Sequence, residues 1–198
     1  MNMAVPYELT GRTNQKARTR DALVGAARDL LASGVTPTME GAAAAAAVSR
    51  TTAYRYFPSL RELLVAAYPH IDEASLLGDE PPDDVVERIA LVARDQTRRI
   101  LDYEPEMRAV LRLSLEGGAP DLPMNRGLRI GWIEDALAPL RGRLSRAGFR
   151  QLVVGIGATL GIEAFVWLTD VAGLSREQAA AAIQANAIGL VRAALADV

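Results

Sequence analysis

Apolar residues recur at helical intervals along almost the whole chain, and no segment keeps a period-two alternation. A half-buried strand needs that alternation, so the pattern removes sandwiches, barrels and open sheets and leaves helices packed on helices. Leu23, Ala26, Ala27, Leu30 and Leu31 follow i, i+3, i+4, i+7 and i+8, and Ser33-Gly34 stops that run with glycine at a left-handed cap position. Thr38 opens a second helix through the alanine run Ala42–Ala47, which breaks at Val48-Ser49. Ser49 to Phe57 fits a short third helix closed by Pro58, and Ser59 with Glu62 forms a capping box for a fourth that stops near Tyr68-Pro69. After the Pro- and Asp-rich connection Gly78–Asp84, helices are expected over Asp83–Asp102 and from Pro105 to the stop at Gly117–Pro120. Three more are expected over Arg126–Leu140, Ser145–Thr169 and Ser175–Leu195, the last opened by a Ser175/Gln178 capping box. The expectation is an all-α chain of about nine helices with no strands.

Composition excludes several chemistries. The 198 residues contain no cysteine and one histidine, so the chain holds no disulfide, thiolate nucleophile or multi-histidine metal site. No Gly-x-Ser-x-Gly elbow, His-Glu-x-x-His pair or Walker loop is present, and neither a cofactor nor catalysis is expected. Val154–Gly161 imitates a dinucleotide-binding fingerprint, but its glycines lie in a helical apolar run rather than after a strand. The start of the chain lacks the basic-then-apolar order of a signal peptide. The longest unbroken apolar run, Leu152–Ile162, is far short of the ~20 residues that span a bilayer. A cytoplasmic protein with no membrane partner is expected. His70 reads as a surface or hinge histidine.

The formal net charge of −2 hides an uneven distribution. Residues 1–68 carry +3 and residues 69–198 carry −5. Asymmetry of this kind hints at contact between the basic part and nucleic acid. The segment Thr38–Phe57 sharpens the hint. A helix of small residues, a tight turn and a short second helix make the shape of a helix-turn-helix, whose second helix enters the major groove. Arg50 is able to read guanine O6 and N7 or to grip a phosphate. Thr51 and Thr52 are short enough to reach base edges or a thymine methyl, Tyr54 and Tyr56 offer hydroxyls to phosphates, and Arg55 adds charge. Thr38 and Ser49 sit at helix starts, where backbone N–H groups also receive phosphate. The same residues also fit an ordinary helical hairpin with a solvated face and core-edge tyrosines.

From Arg18 to Leu64 the chain resembles the DNA-binding domain of TetR-family transcriptional regulators. The resemblance rests on Leu23-x-x-Ala26-Ala27-x-x-Leu30-Leu31 with Gly34, on Thr38-Met39-x-x-x-Ala43, and on Val48-Ser49-Arg50-x-Thr52-x-Tyr54-Arg55-Tyr56-Phe57-Pro58-Ser59 followed by Leu63-Leu64. It implies a flexible arm over 1–15, a helix-turn-helix domain over 16–68 and a helical ligand-binding and dimerisation domain over 69–198. It also implies a homodimer on a palindromic double-stranded operator, with a small-molecule effector that releases DNA. Arg18 and Arg20, placed before the first helix, would grip phosphate or minor groove. Two departures stand out: Ala47 replaces a frequent glycine in the turn, and Leu60 replaces a frequent lysine, leaving a phosphate contact to Arg61.

In the C-terminal part Tyr103, Met107, Leu111, Trp132, Phe165 and Trp167 are candidates to line an apolar cavity between helices, or simply to pack a core. Gly157 and Gly161, one turn apart, permit close helix approach. With Ile188 and Val191 of the last helix they are candidates for a dimer interface, unless both helices serve only the chain's own core. The competing functional reading is a helical small-molecule carrier or enzyme using the C-terminal bundle, or a helical interaction protein.

Overall fold

The computed structural model describes residues 7–68, 73–115 and 126–196. It holds nine α-helices and no strand among the described residues, so the fold is all-α. His70 and the helix stop at Gly117–Pro120 lie outside the described residues. The chain divides into two compact units, one of Met1–Pro69 with Arg112–Leu122 and one of His70–Leu111 with Pro123–Val198.

The first unit is built from α1 (Tyr7–Ala32), α2 (Met39–Ala45), α3 (Arg50–Tyr56) and α4 (Leu60–Ala67). Helix α1 ends as its sequence predicts. Gly34 takes φ +74, its N–H donates to the Leu31 carbonyl, and Val35 N–H donates to that of Leu30, both at 2.9 Å. One expectation is corrected here. Arg18 and Arg20 do not precede the first helix but lie within it, because α1 starts at Tyr7, inside the expected 1–15 arm. Residues 7–20 are mostly polar and show no helical apolar spacing, so the sequence pattern does not report this part of the helix. The core joins Leu23 and Ala27 of α1 to Met39, Ala42 and Ala43 of α2, Ala53 and Phe57 around α3, and Leu63 of α4. Arg28 Nε of α1 donates to the Ala67 carbonyl at 2.9 Å, closing the last turn of α4.

The turn between α2 and α3 carries the backbone strain of this unit. Ala47 takes φ +54, the left-handed region. Ala47 N–H donates to Ala44 O at 3.1 Å and Val48 N–H to Ala43 O at 2.9 Å, a helix-ending pair of bonds that normally has glycine in this place. A side chain there costs about 1–2 kcal/mol, whereas glycine gives back about 0.4–1 kcal/mol through the freer unfolded chain. Ala47→Gly should therefore raise stability by up to about 1 kcal/mol, read as a higher denaturation midpoint, and Ala47→Val should lower it. Equal midpoints for all three would show that the turn is unstrained.

The second unit holds α5 (Val85–Leu115), whose last residues group with the first unit, α6 (Arg126–Ala136), a 3₁₀ turn (Ala138–Leu140), α7 (Arg146–Thr159), α8 (Ile162–Val166) running into a π turn (Trp167–Val171), and α9 (Arg176–Ala196). Asp84 starts α5 by accepting from Val86 N at 2.7 Å and Glu87 N at 2.9 Å. The helix kinks at Tyr103 (φ −127, ψ 26), two residues before Pro105. Proline has no N–H for the carbonyl four residues back, that of Leu101. Arg176 Nη2, at the start of α9, donates to that carbonyl at 2.8 Å, and Arg176 Nε pairs with Glu104 at 2.8 Å.

The single helix expected over Ser145–Thr169 is corrected to two, bent by 48°. Thr159 Oγ1 bonds back to the Ile156 carbonyl at 2.9 Å, and Gly161 is extended at φ −104, ψ 167 as the cap of α8. Helix α9 has 21 residues, and an 18-residue stretch of it has a mean hydropathy of 1.4, so it is long and apolar enough by length and composition to cross a membrane. Its apolar stretch is interrupted by Gln184, Asn186 and Arg192, so it forms no unbroken apolar run.

Arg108 ties the π turn to α5. Its Nη1 and Nη2 hold Asp170 Oδ2 at 2.6 Å and Oδ1 at 2.8 Å, and its Nε meets Glu104 at 2.7 Å. The bond from Arg108, then that from Thr169, lowers the Asp170 carboxyl from 3.8 to about 2. A folded-state value below the unfolded one contributes stability that is complete above pH ~4 and is lost as pH falls through ~2. Asp170 is half-exposed, so screening holds the contribution below ~1 kcal/mol. Asp170→Asn should flatten the stability profile across that window and leave the slope above pH ~5 unchanged, which acid titration of the melting temperature will show.

Candidate nucleic-acid interface

Local chemistry shapes the α2–α3 pair before any partner is considered. Thr38 caps α2, its Oγ1 accepting from Gly41 N at 3.0 Å. Ser49 caps α3, accepting from Thr52 N at 3.1 Å. Ala53 and Phe57 turn inward and are buried, which fixes the rotation of α3. Arg50, Thr51, Tyr54 and Arg55 are consequently turned outward together on one exposed face.

Thr52 and Tyr56 are placed differently. Thr52 is half-buried with its hydroxyl 2.9 Å from Ser49 Oγ, and Tyr56 packs on the unit's core. Arg61 is part-buried, its Nη2 3.5 Å from the Leu113 carbonyl. Arg20 lies over the Phe57 ring at 5.2 Å from its centroid, and Arg18 is exposed on α1.

Arg50 is pre-organised on the surface. Its Nε pairs with Glu40 Oε1 at 2.8 Å and its guanidinium lies 5.5 Å from the Tyr54 ring centroid. Both partners of the ion pair are more than half exposed, so the pair is weak and exchangeable. Sequence spacing did not single out Glu40, because the pairing depends on how α2 crosses α3. A cleft of about 320 Å³ is lined by Gln15 and Lys16 of α1 and by Arg55 and Tyr56 of α3. Its two cations and a phenol suit a phosphate. The i, i+4 spacing of Lys16 and Arg20 on a helix would have signalled Lys16 had α1 been expected to start earlier.

The candidate cavity residues of the second unit differ in exposure. Trp132 and Phe165 are fully buried, Met107 nearly so, and Leu111 half-buried, while Tyr103 and Trp167 are exposed. Trp132 Nε1 donates to the Glu73 carbonyl at 2.8 Å. A cavity of about 340 Å³ in this unit is lined from α6, α7 and the turn between them, and none of the six lines it.

The candidate interface residues also need correction. Val191 is fully buried within its own chain, and Ile188 is half-buried. A Cβ on Gly157 would touch Ile133 of α6 at 3.6 Å. One on Gly161 would meet the ends of the Arg129 and Glu163 side chains, which pair at 3.4 Å. Both glycines have neighbours within their own chain. What faces outward is a different set: Val154 on α7, and Ala181, Ala185, Gly189, Leu190 and Ala193 on α9.

No family model and no curated protein matches the chain. Among solved structures it is similar to a TetR transcriptional regulator from Rhodococcus sp. RHA1, at 18% sequence identity and a TM-score of 0.51, over 91% of this chain and 97% of that one. At that identity the likeness speaks for the fold, and it agrees with the helix order and the α2–α3 geometry described above: the chain has a TetR-like, all-α fold.

Proposed function

We propose that the protein is a ligand-responsive, DNA-binding transcriptional regulator, a repressor that binds a palindromic operator as a homodimer in the cytoplasm and leaves it when a small apolar ligand binds. The observation that carries the reading is the outward face of α3. Arg50, Thr51, Tyr54 and Arg55 stand together on a short, capped helix in a +3 segment, beside a cleft that Lys16 completes. Arg50 and Thr51 would meet base edges in the major groove, and Tyr54, Arg55 and Lys16 would meet phosphates. Thr38 and Ser49 cap the two helices, Thr52 and Tyr56 support α3, and Arg18, Arg20 and Arg61 add charge for the backbone.

Dimerisation is supported by α9, whose exposed face sets the small residues Ala181, Ala185, Gly189 and Ala193 around Arg192. Two copies packing α7 and α9 together around a two-fold axis would form a four-helix contact and set two recognition helices one DNA turn apart, ~34 Å, or a multiple of it. Ligand would then act by favouring a dimer whose helices are mis-spaced for the operator. Selection of bound sequences from random DNA tests the reading. A palindrome of two half-sites is the expected product, and a pool with no enriched sequence would refute it.

A further inference from the structure

Helix α6, the turn after it and α7 enclose the groove of about 340 Å³ on the second unit. Its floor is apolar: Val153 is buried, Phe149 is half-buried, and Ile130 and Val154 are 46% and 57% exposed. Its rim is charged, with Glu134 on α6, Arg141 in the turn, and Arg146 and Arg150 on α7. Arg141 is already engaged. Its guanidinium stacks 4.7 Å from the Phe149 ring centroid, and its Nη2 meets Glu134 Oε2 at 3.1 Å.

Arg146 and Arg150 are in a different state. They lie one turn apart on the same face of α7, are exposed, and have no side-chain ion pair or hydrogen bond among the described residues. Like charges at i, i+4 repel, so the pair gains from an anion placed between them. The rim carries three arginines against one glutamate although residues 69–198 sum to −5, so the positive charge is local to this groove.

We propose that the groove binds a small organic anion with a flat apolar body. Its carboxylate would bridge the Arg146 and Arg150 guanidiniums, and its body would lie on Phe149 and Val153. Guanidinium is the side-chain cation best shaped for a planar carboxylate, and the volume is in the range of small-molecule sites. Inorganic phosphate would leave the apolar floor unused. A second copy packed by two-fold symmetry at this groove would bring a second Arg146–Arg150 pair toward the first. The proposal does not depend on DNA binding and is measured without DNA.

The test is calorimetric titration of the full chain with 2-naphthoate and with 2-naphthamide, its neutral counterpart. One naphthoate per chain is expected, held at least about tenfold more tightly than the amide, with affinity falling as salt rises. The exposed pair Arg146→Gln and Arg150→Gln should abolish the preference for the acid while leaving the melting temperature and the amide affinity unchanged, and Arg150→Lys should retain part of it. Equal affinity for acid and amide, or a preference that survives both substitutions, would reduce the groove to an apolar surface and overturn the proposal. Absence of binding at millimolar naphthoate would do the same. So would a change of oligomeric mass in the double variant, which would make the groove a contact between copies of the chain.

Discussion

Arg50→Ala combined with Tyr54→Phe is expected to lower affinity for the selected operator by at least about 100-fold while leaving the helix content intact. A bidentate arginine–guanine contact is worth about 1–3 kcal/mol, a homodimer loses it in both half-sites, and each lost tyrosine hydroxyl adds roughly 1 kcal/mol. Neither substitution touches the core, since both side chains lie on the outward face of α3. The two should also differ in kind. Loss of a base contact relaxes the sequence preference at one position, whereas loss of a phosphate contact weakens all sequences alike. Titration of labelled operator and of a scrambled duplex, at two salt concentrations, separates these effects. Unchanged affinity for the selected operator would remove α3 as the reading helix.

Trp132→Ala is expected to destabilise the second unit by about 3–5 kcal/mol, a large part of the ~5–15 kcal/mol that holds a typical domain together. Trp132 is 1% exposed, and its indole nitrogen donates to the Glu73 carbonyl. Removal leaves a cavity that neighbours anchored on separate helices cannot close. Trp132→Phe, which keeps most of the volume and loses the hydrogen bond, should cost about 1–2 kcal/mol. Urea unfolding followed by far-ultraviolet dichroism is the suitable readout. The only other tryptophan, Trp167, is 58% exposed already and reports little. A loss below ~1 kcal/mol for Trp132→Ala would show that the side chain does not hold the core.

How much of this was legible in the sequence depends on where the information sits. Local events were readable because they are written in neighbouring residues. Thr38, Ser49 and Ser59 cap the expected helices, Gly34 ends α1, and Ser175 exchanges bonds with Gln178 at the start of α9. The N-terminal half of α1 was not readable, since its sequence carries no helical apolar spacing. Rotational phase was lost wherever alanine fills the helix. Along α9 alanine falls on both faces, so spacing could not tell that Val191 points inward while Gly189 points out. Contacts that need a tertiary angle were invisible in principle. Arg50 meeting Glu40, Lys16 sharing a cleft with Arg55, and Gly161 yielding room to Arg129 and Glu163 all depend on helix crossings.

The proline kink in α5 has a consequence for how the chain can vary. The Leu101 carbonyl, deprived of a partner by Pro105, is satisfied by Arg176 from α9. A residue with an N–H at position 105 would let α5 close its own ladder and take that carbonyl away from Arg176, and loss of Arg176 would strand the carbonyl that proline leaves behind. Each position therefore sets the worth of the other. The two form an epistatic pair far apart in sequence, so a drifting descendant of this chain would be expected to exchange both or neither.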